Sequence, residues 1–223
     1  MATKRAVVLM SGGLDSSVLA SLLISQGWEV SGLSINYGQR HLRELQAATA
    51  YCKAQGIPHR SVAIDGFASL VPCSSQTSDG IEVPHGHYAD ESMRVTFVPN
   101  RNMVMLSIAA AHAIGIRATA LGIAAHAGDH TIYPDCRREF MYAFMDAVRA
   151  GNWDADELQL TTPFVMMSKA DIAHIGNSIG APMHLTYSCY EGRAKHCGRC
   201  GTCVERKEAF AGAGIQDPTE YEA

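Results

Sequence analysis

Two stretches of the chain combine residue types and spacings that can do chemistry. The first is Ser11-Gly12-Gly13-Leu14-Asp15-Ser16-Ser17. Paired glycines between a strand and a helix let the backbone approach an anion, and the helix start adds unpaired N–H groups and a partial positive charge. The hydroxyls of Ser11, Ser16 and Ser17 supply further donors. Asp15 is the odd member, because a carboxylate facing a triphosphate is repulsive unless magnesium lies between them. Mg-ATP is therefore the expected ligand. The loop has neither the dinucleotide-binding glycine spacing nor the Gly-Lys-Ser ending of NTP hydrolases, which argues against hydride transfer and γ-phosphate hydrolysis. In isolation, ordinary Ser and Asp capping would account for a Gly-Gly-x-Asp word.

The second stretch is Cys197-Gly-Arg-Cys200-Gly-Thr-Cys203, three thiols in successive short turns, with Cys189 upstream able to close a tetrahedron. Four thiolates at a closed site read as structural zinc, contributing on the order of 10 kcal/mol toward folding. An iron–sulfur cluster is the rival, although the fourth cysteine lies upstream of its ferredoxin position. His196 could substitute for a cysteine, but a solvated surface role is expected. The remaining cysteines, Cys52, Cys73 and Cys136, read as small core residues.

The elements that must position these groups alternate. Arg5 to Met10 is an apolar run suited to a strand buried on both faces, and the helix from Asp15 to Gln26 ends at Gly27, where a left-handed cap is cheap. Val30 to Tyr37 reads as a strand. A helix follows with Leu42, Leu45, Thr49 and Cys52 on one face, stopped by Gly56 and Pro58, and then a third strand from His59 to Ile64. The stretch 66–96 breaks the rhythm, as a binding insertion or lid would. Helices at Arg101 to Ile114 and Arg138 to Arg149, strands at Ala118 to Ala124 and Leu158 to Phe164, and a helix from Ser168 to Ile179 capped by Ser168 complete the pattern. Such alternation implies a Rossmann-like α/β fold, a parallel sheet flanked by helices, with the glycine loop at its ligand-binding edge.

With 223 residues, 47% of them apolar, the chain can bury one sizeable core. Its formal charge of −4 does not favour holding a polyanion, so no direct nucleic-acid partner is expected. No stretch has the length and composition of a signal peptide or membrane span, so the expected setting is cytoplasmic without membrane association. Clustered cysteines in that setting point to metal before disulfide.

The word Ser-Gly-Gly-Leu-Asp-Ser resembles the pyrophosphate loop of the ATP pyrophosphatases, which split ATP between its α- and β-phosphates and adenylate a substrate oxygen. Further words extend the likeness: Tyr37-Gly38-Gln39-Arg40-His41, Phe97-Val98-Pro99-Asn100-Arg101-Asn102, Asp129 with Tyr133-Pro134-Asp135-Cys136-Arg137, Ser168-Lys169-Ala170, and the cysteine tail. In that order they resemble the 7-cyano-7-deazaguanine synthase family from end to end. Asn100 and Ile132 stand where many members have glycine.

The resemblance implies an adenine nucleotide alpha hydrolase-like catalytic domain over 1–186 and a small zinc-binding segment over 187–223. It implies a carbon–nitrogen ligase converting 7-carboxy-7-deazaguanine, ATP and ammonia to the nitrile precursor of queuosine, as a homodimer. Free ammonia is expected because no glutamine-hydrolysing part is visible. Nucleotide contacts are expected from Met10, Ser11, Gly12, Gly13, Leu14, Asp15, Ser16, Ser17, Val18, Leu19 and Ala20. Asp15, Lys169 and Arg101 are the expected catalytic residues, Lys169 at the α-phosphate and Arg101 toward phosphates or the substrate carboxylate. Asp135 is expected at the guanine-like edge, with Asp129 supporting magnesium or the base, and Arg40 and His41 as further candidates. Cys189, Cys197, Cys200 and Cys203 are the expected zinc ligands. The rival readings are a tRNA sulfur transferase, a zinc-stabilised nucleotide sensor, and a relative handing the activated deazaguanine to another amine.

Overall fold

Residues Ala6, Val8 and Met10 point to one side of the first strand and Val7 and Leu9 to the other, and all five are buried. The continuous apolar run thus serves two cores, one on each face of the sheet. The computed structural model describes residues 4–40, 42–87 and 91–222, so His41 lies outside the described residues.

In chain order the elements are β1 (Arg5–Leu9), α1 (Leu14–Ser25), β2 (Glu29–Asn36), α2 (Arg43–Ala54), β3 (His59–Ala63), the single turn α3 (Phe67–Leu70), α4 (Arg101–Gly115), β4 (Ala120–Gly122), α5 (Arg138–Gly151), β5 (Gln159–Thr161), α6 (Lys169–Ser178) and α7 (Gly201–Gly212). The strands form one parallel sheet in the order β3-β2-β1-β4-β5. Chain order reverses beside β1, so a crevice opens at the carboxyl ends of β1 and β4, where the glycine loop emerges.

One core joins β1 and β2 to α4 and α5 through Leu33, Leu106, Ala109, Phe144 and Met145. The other joins the sheet to α1, α2 and α6 through Val18, Leu19, Tyr51, Cys52 and Ile172, and extends to Phe210 of α7. Ser168 caps α6 as its position implied, in a reciprocal pair with Asp171, and Gly27 is left-handed at φ 80°.

Cys73 is exposed, not a core residue as its type suggested, and three expectations about the elements also need correction. α2 buries Ala48, Tyr51 and Cys52, whereas Leu42 and Thr49 are exposed. Its rotation is set by Gly12, which packs against the backbone of Glu44 and Ala48. The strands β4 and β5 are shorter than their apolar runs, because only three residues of each find ladder partners. The helix α7 was not foreseen: its buried residues include Thr202, Glu205 and Arg206, which mask an apolar period.

The irregular stretch is pinned at two places. Arg40 N–H donates to Gln76 O (2.8 Å), while Gly86 N–H donates to Arg199 O (3.2 Å) beside a bridge between His85 and Cys200. It therefore packs across onto the cysteine segment.

Candidate active site

Gly13 stands at the N-cap of α1 and offers no side chain, so the first amides of that helix have no side-chain acceptor. The loop before it is braced from within. Ser11 N–H donates to Ser16 Oγ (3.2 Å), Gly13 N–H donates to Ser11 Oγ (3.3 Å), and the two hydroxyls lie 3.0 Å apart. From outside, Tyr187 N–H donates to Gly12 O (2.8 Å). Gly12 has φ +85°, and a Cβ there would sit 1.9 Å from Glu44 O, so only glycine fits between the loop and α2.

This loop forms one wall of a cleft enclosing about 1220 Å³, open solvent at its mouth included. Met10, Ser11, Gly13, Leu14, Asp15 and Ser16 line it, together with Arg101, Asp129 and Lys169. Gly12 supports the loop from behind. Ser17, Val18, Leu19 and Ala20 are fully buried and do not line the cleft, because α1 runs from the loop straight into the core. Asp135 also lies outside the lining. Its Oδ2 accepts from Asn102 N–H (3.2 Å), which tethers the first turn of α4. Arg40 is held on the surface by Asp79 (3.2 Å) and Ile81 O (3.1 Å).

At the loop end, Lys169 Nζ lies 3.1 Å from Asp15 Oδ2 and 2.7 Å from Glu205 Oε2. Beneath them His126 Nε2 faces Asp129 (3.6 Å), Glu205 (3.6 Å) and Asp15 (4.0 Å). Its Nδ1 accepts from Gly128 N–H (3.1 Å), so the ring proton is on Nε2, toward the carboxylates. Burial works to lower the Lys169 pKa, but Asp15, Glu205 and Asp129 outweigh it and hold the ammonium charged. Asp15 Oδ1 is buried without a hydrogen-bond partner. An orphaned carboxylate oxygen at a phosphate loop suits a hard cation.

The lining also includes Tyr37, Gln39, Glu44, Arg101, Tyr133 and Tyr190, and of these Tyr37, Glu44, Tyr133 and Tyr190 lie close enough to Arg101 to interact with its charge. The Arg101 guanidinium packs over the Tyr133 ring (5.6 Å), and its Nε is buried without a hydrogen-bond partner. The apolar part of the lining comprises residues such as Leu9, Leu33, Ile35, Met105 and Ile123.

The Sγ atoms of Cys189, Cys197, Cys200 and Cys203 all lie within 4.8 Å of one another, and those of Cys197 and Cys203 are 3.9 Å apart. A tetrahedron with metal–sulfur bonds of about 2.3 Å requires sulfurs about 3.8 Å apart, so the set could hold a metal ion. Cys197 N–H and Cys200 N–H donate to Cys189 Sγ (3.4 Å) and Cys197 Sγ (3.3 Å), which suits thiolate acceptors. His196 is buried, not solvated. It packs against the Tyr187 ring at a 44° tilt (centroids 4.6 Å) and accepts from Ser188 N–H through Nε2 (3.0 Å).

The cysteine segment is joined to the cleft directly. Tyr187, Ser188, Tyr190 and Thr202 line it, and α7, which starts just after Cys200, carries Glu205 to Lys169. The fully buried Arg206 ties α7 back to Thr186 Oγ1 (2.8 Å), Ser188 Oγ (3.2 Å) and Asp217 (3.2 Å). Sequence reasoning missed Glu205, His126 and Glu44. The one available signal was Glu205 lying two residues beyond the last cysteine, on a segment already expected to be rigid.

Residues 5–214 match the family model described as "Queuosine biosynthesis protein QueC". The chain is 49% identical over 218 residues to a 7-cyano-7-deazaguanine synthase from Methanoregula boonei, covering 98% of this chain and 99% of that protein. It is 50% identical over 218 residues to one from Caldicellulosiruptor bescii, covering 98% and 97%. Among solved structures, a "predicted subunit of tRNA methyltransferase" from Methanocaldococcus jannaschii is similar in fold alone. Its TM-score is 0.51 at 16% identity, over 78% of this chain and 76% of that one. With the pyrophosphate-type loop, the cleft and the cysteine set in place, this near end-to-end identity means that the chain belongs to the QueC family.

Proposed function

We propose that the protein converts 7-carboxy-7-deazaguanine, ammonia and two ATP to 7-cyano-7-deazaguanine, two AMP and two pyrophosphate, as a carbon–nitrogen ligase. A carboxylate is a poor electrophile because its charge is delocalised. Its oxygen attacks the α-phosphorus, pyrophosphate leaves, and the acyl adenylate now carries AMP as a leaving group. Ammonia displaces AMP to give the amide. The amide oxygen then attacks the α-phosphorus of a second ATP, and loss of AMP with the nitrogen protons yields the nitrile.

The observation that carries this reading is the uncapped start of α1 in the same cleft as the Lys169–Asp15 pair. The free amides and the hydroxyls of Ser11 and Ser16 take the outer phosphates as they become pyrophosphate. Lys169, held charged at the loop, offsets negative charge developing at the α-phosphate. Asp15, through its orphaned Oδ1, and Asp129 suit the magnesium that accompanies ATP. Arg101 is the cation for the second substrate. The same loop serves both adenylations.

The cysteine set takes zinc with no coordination position left over, so zinc supplies structure and not Lewis acidity. It fixes the segment that holds Gly12 and Lys169.

Incubation with ATP, magnesium, 7-carboxy-7-deazaguanine and ammonium, followed by mass spectrometry, should give the nitrile, AMP and pyrophosphate. ADP without AMP would overturn the adenylation mechanism.

A further inference from the structure

A guanine-like ring presents three groups in a row on one edge: the O6 acceptor, the N1–H donor and the 2-amino donor. Reading that edge takes a donor beside a paired acceptor, and an ionised carboxylate is the side chain that accepts two parallel N–H bonds. Among the described residues the carboxylates lining the cleft are Asp15, Asp129 and Glu44. Asp15 is engaged by Lys169, and Asp129 belongs to the group around His126 at the loop end. The Glu44 carboxylate is instead grouped with Arg101 and Tyr37, close enough for each to act on the other's charge.

Glu44 is also held. Gln39 is buried, and its Oε1 accepts from Tyr37 N–H (2.9 Å) while its Nε2 donates to Glu44 Oε1 (3.2 Å) and more weakly to Ile35 O (3.4 Å). That amide fixes one carboxylate oxygen of Glu44. Among the described residues no cation lies within ion-pair distance of Glu44, although Arg101 is near enough to act on its charge. Burial pushes the Glu44 carboxyl up to about 7, only partly opposed by Gln39 and Arg101. A desolvated acid and a guanidinium with a buried, unpartnered Nε thus lie near one another in the cleft lining.

We infer that Glu44, oriented by Gln39, accepts the N1–H and 2-amino donors of the deazaguanine ring, and that Arg101 donates to O6. The ring then lies against Ile35 and Met105, with its carboxylate directed toward the loop and Lys169. Glu44 is a specificity residue in this arrangement and takes over the role expected of Asp135, which does not line the cleft.

The inference rests on the proposed reaction, and its test separates the two. Nitrile formation is measured with 7-carboxy-7-deazaguanine and with its analogue lacking the 2-amino group, for wild type, Glu44→Gln and Glu44→Asp. Wild type should favour the amino compound by about 10- to 100-fold in kcat/KM, the range for hydrogen bonds to a charged acceptor. Glu44→Gln should reduce that preference to within about threefold and raise KM for the deazaguanine acid, with KM for ATP nearly unchanged. Glu44→Asp, which keeps the charge but shortens the reach, should fall between. Should Glu44→Gln fail to fold, the Glu44→Asp result decides. A preference that survives in the variants, a wild type that ignores the 2-amino group, or an effect confined to KM for ATP would each overturn the assignment. A wild type that makes no nitrile from either compound would instead overturn the reaction.

Discussion

Replacing Gly12 by Ala tests whether the phosphate loop is clamped or merely adjacent to its surroundings. The new Cβ would lie 1.9 Å from Glu44 O and 2.8 Å from Ala48 N, both backbone atoms. α2 cannot retreat, because Ala48, Tyr51 and Cys52 are fully buried against the sheet. The loop must therefore move by about 1 Å, and a displacement of that size at reacting groups costs on the order of 100-fold in rate. Alanine at φ +85° adds about 1–2 kcal/mol, and loss of the Tyr187 N–H bond to Gly12 O adds about 1 kcal/mol. A total of about 2–3 kcal/mol corresponds to a fall in Tm of roughly 4–12 °C for a chain of this size. Gly13 is the control, with ordinary φ −74° and nearest contacts at 3.4 and 3.9 Å. Gly13→Ala should fold with a loss below about 1 kcal/mol, so any fall in ATP affinity there reports a phosphate passing within methyl distance. Pyrophosphate release and calorimetric ATP binding for both variants decide the matter. Turnover within threefold of wild type and an unchanged Tm for Gly12→Ala would refute the reasoning.

Lys169→Met removes the ammonium shared by Asp15 and Glu205, leaving buried carboxylates unpaired at about 3–5 kcal/mol. Thermal unfolding should show the loss, and adding Glu205→Gln should restore part of the stability while activity stays absent. Removing the proposed zinc should weaken ATP binding as well as lower Tm, because Tyr187 and Glu205 lose their support. Calorimetry against ATP, with metal release followed by a chromogenic chelator, checks both, and unchanged ATP affinity in the stripped protein would contradict the coupling. Glu44 provides the pH test. Its folded value of about 7 exceeds the ordinary glutamate value of about 4.3, so the stability it contributes is complete below pH 4 and is lost as pH rises through 7. Arg101, Gln39 and Tyr37 are the groups facing it. Glu44→Gln should therefore gain Tm relative to wild type at pH 8 but not at pH 5.

The sequence by itself determined the alternation of strands and helices, the parallel sheet, the phosphate loop at its carboxyl edge and the grouping of the cysteines. Each is local: an apolar run, a glycine pair or a short cysteine spacing limits the backbone without reference to distant residues. Ser168 was legible as a cap for the same reason. Tertiary structure alone decided which polar side chains face the cleft. Asp135 and Glu44 are equally plausible acids on paper, yet one tethers α4 and the other lines the cleft. Val18, Leu19 and Ala20 follow the loop directly in sequence, but 100° per residue of helical rotation and the packing of α6 carry them into the core. Glu205 reaches Lys169 across 36 positions only because the cysteine turn starts α7 beside α6. Such pairings depend on how elements dock, and a polar residue carries no mark in its own neighbourhood of the partner that docking will bring.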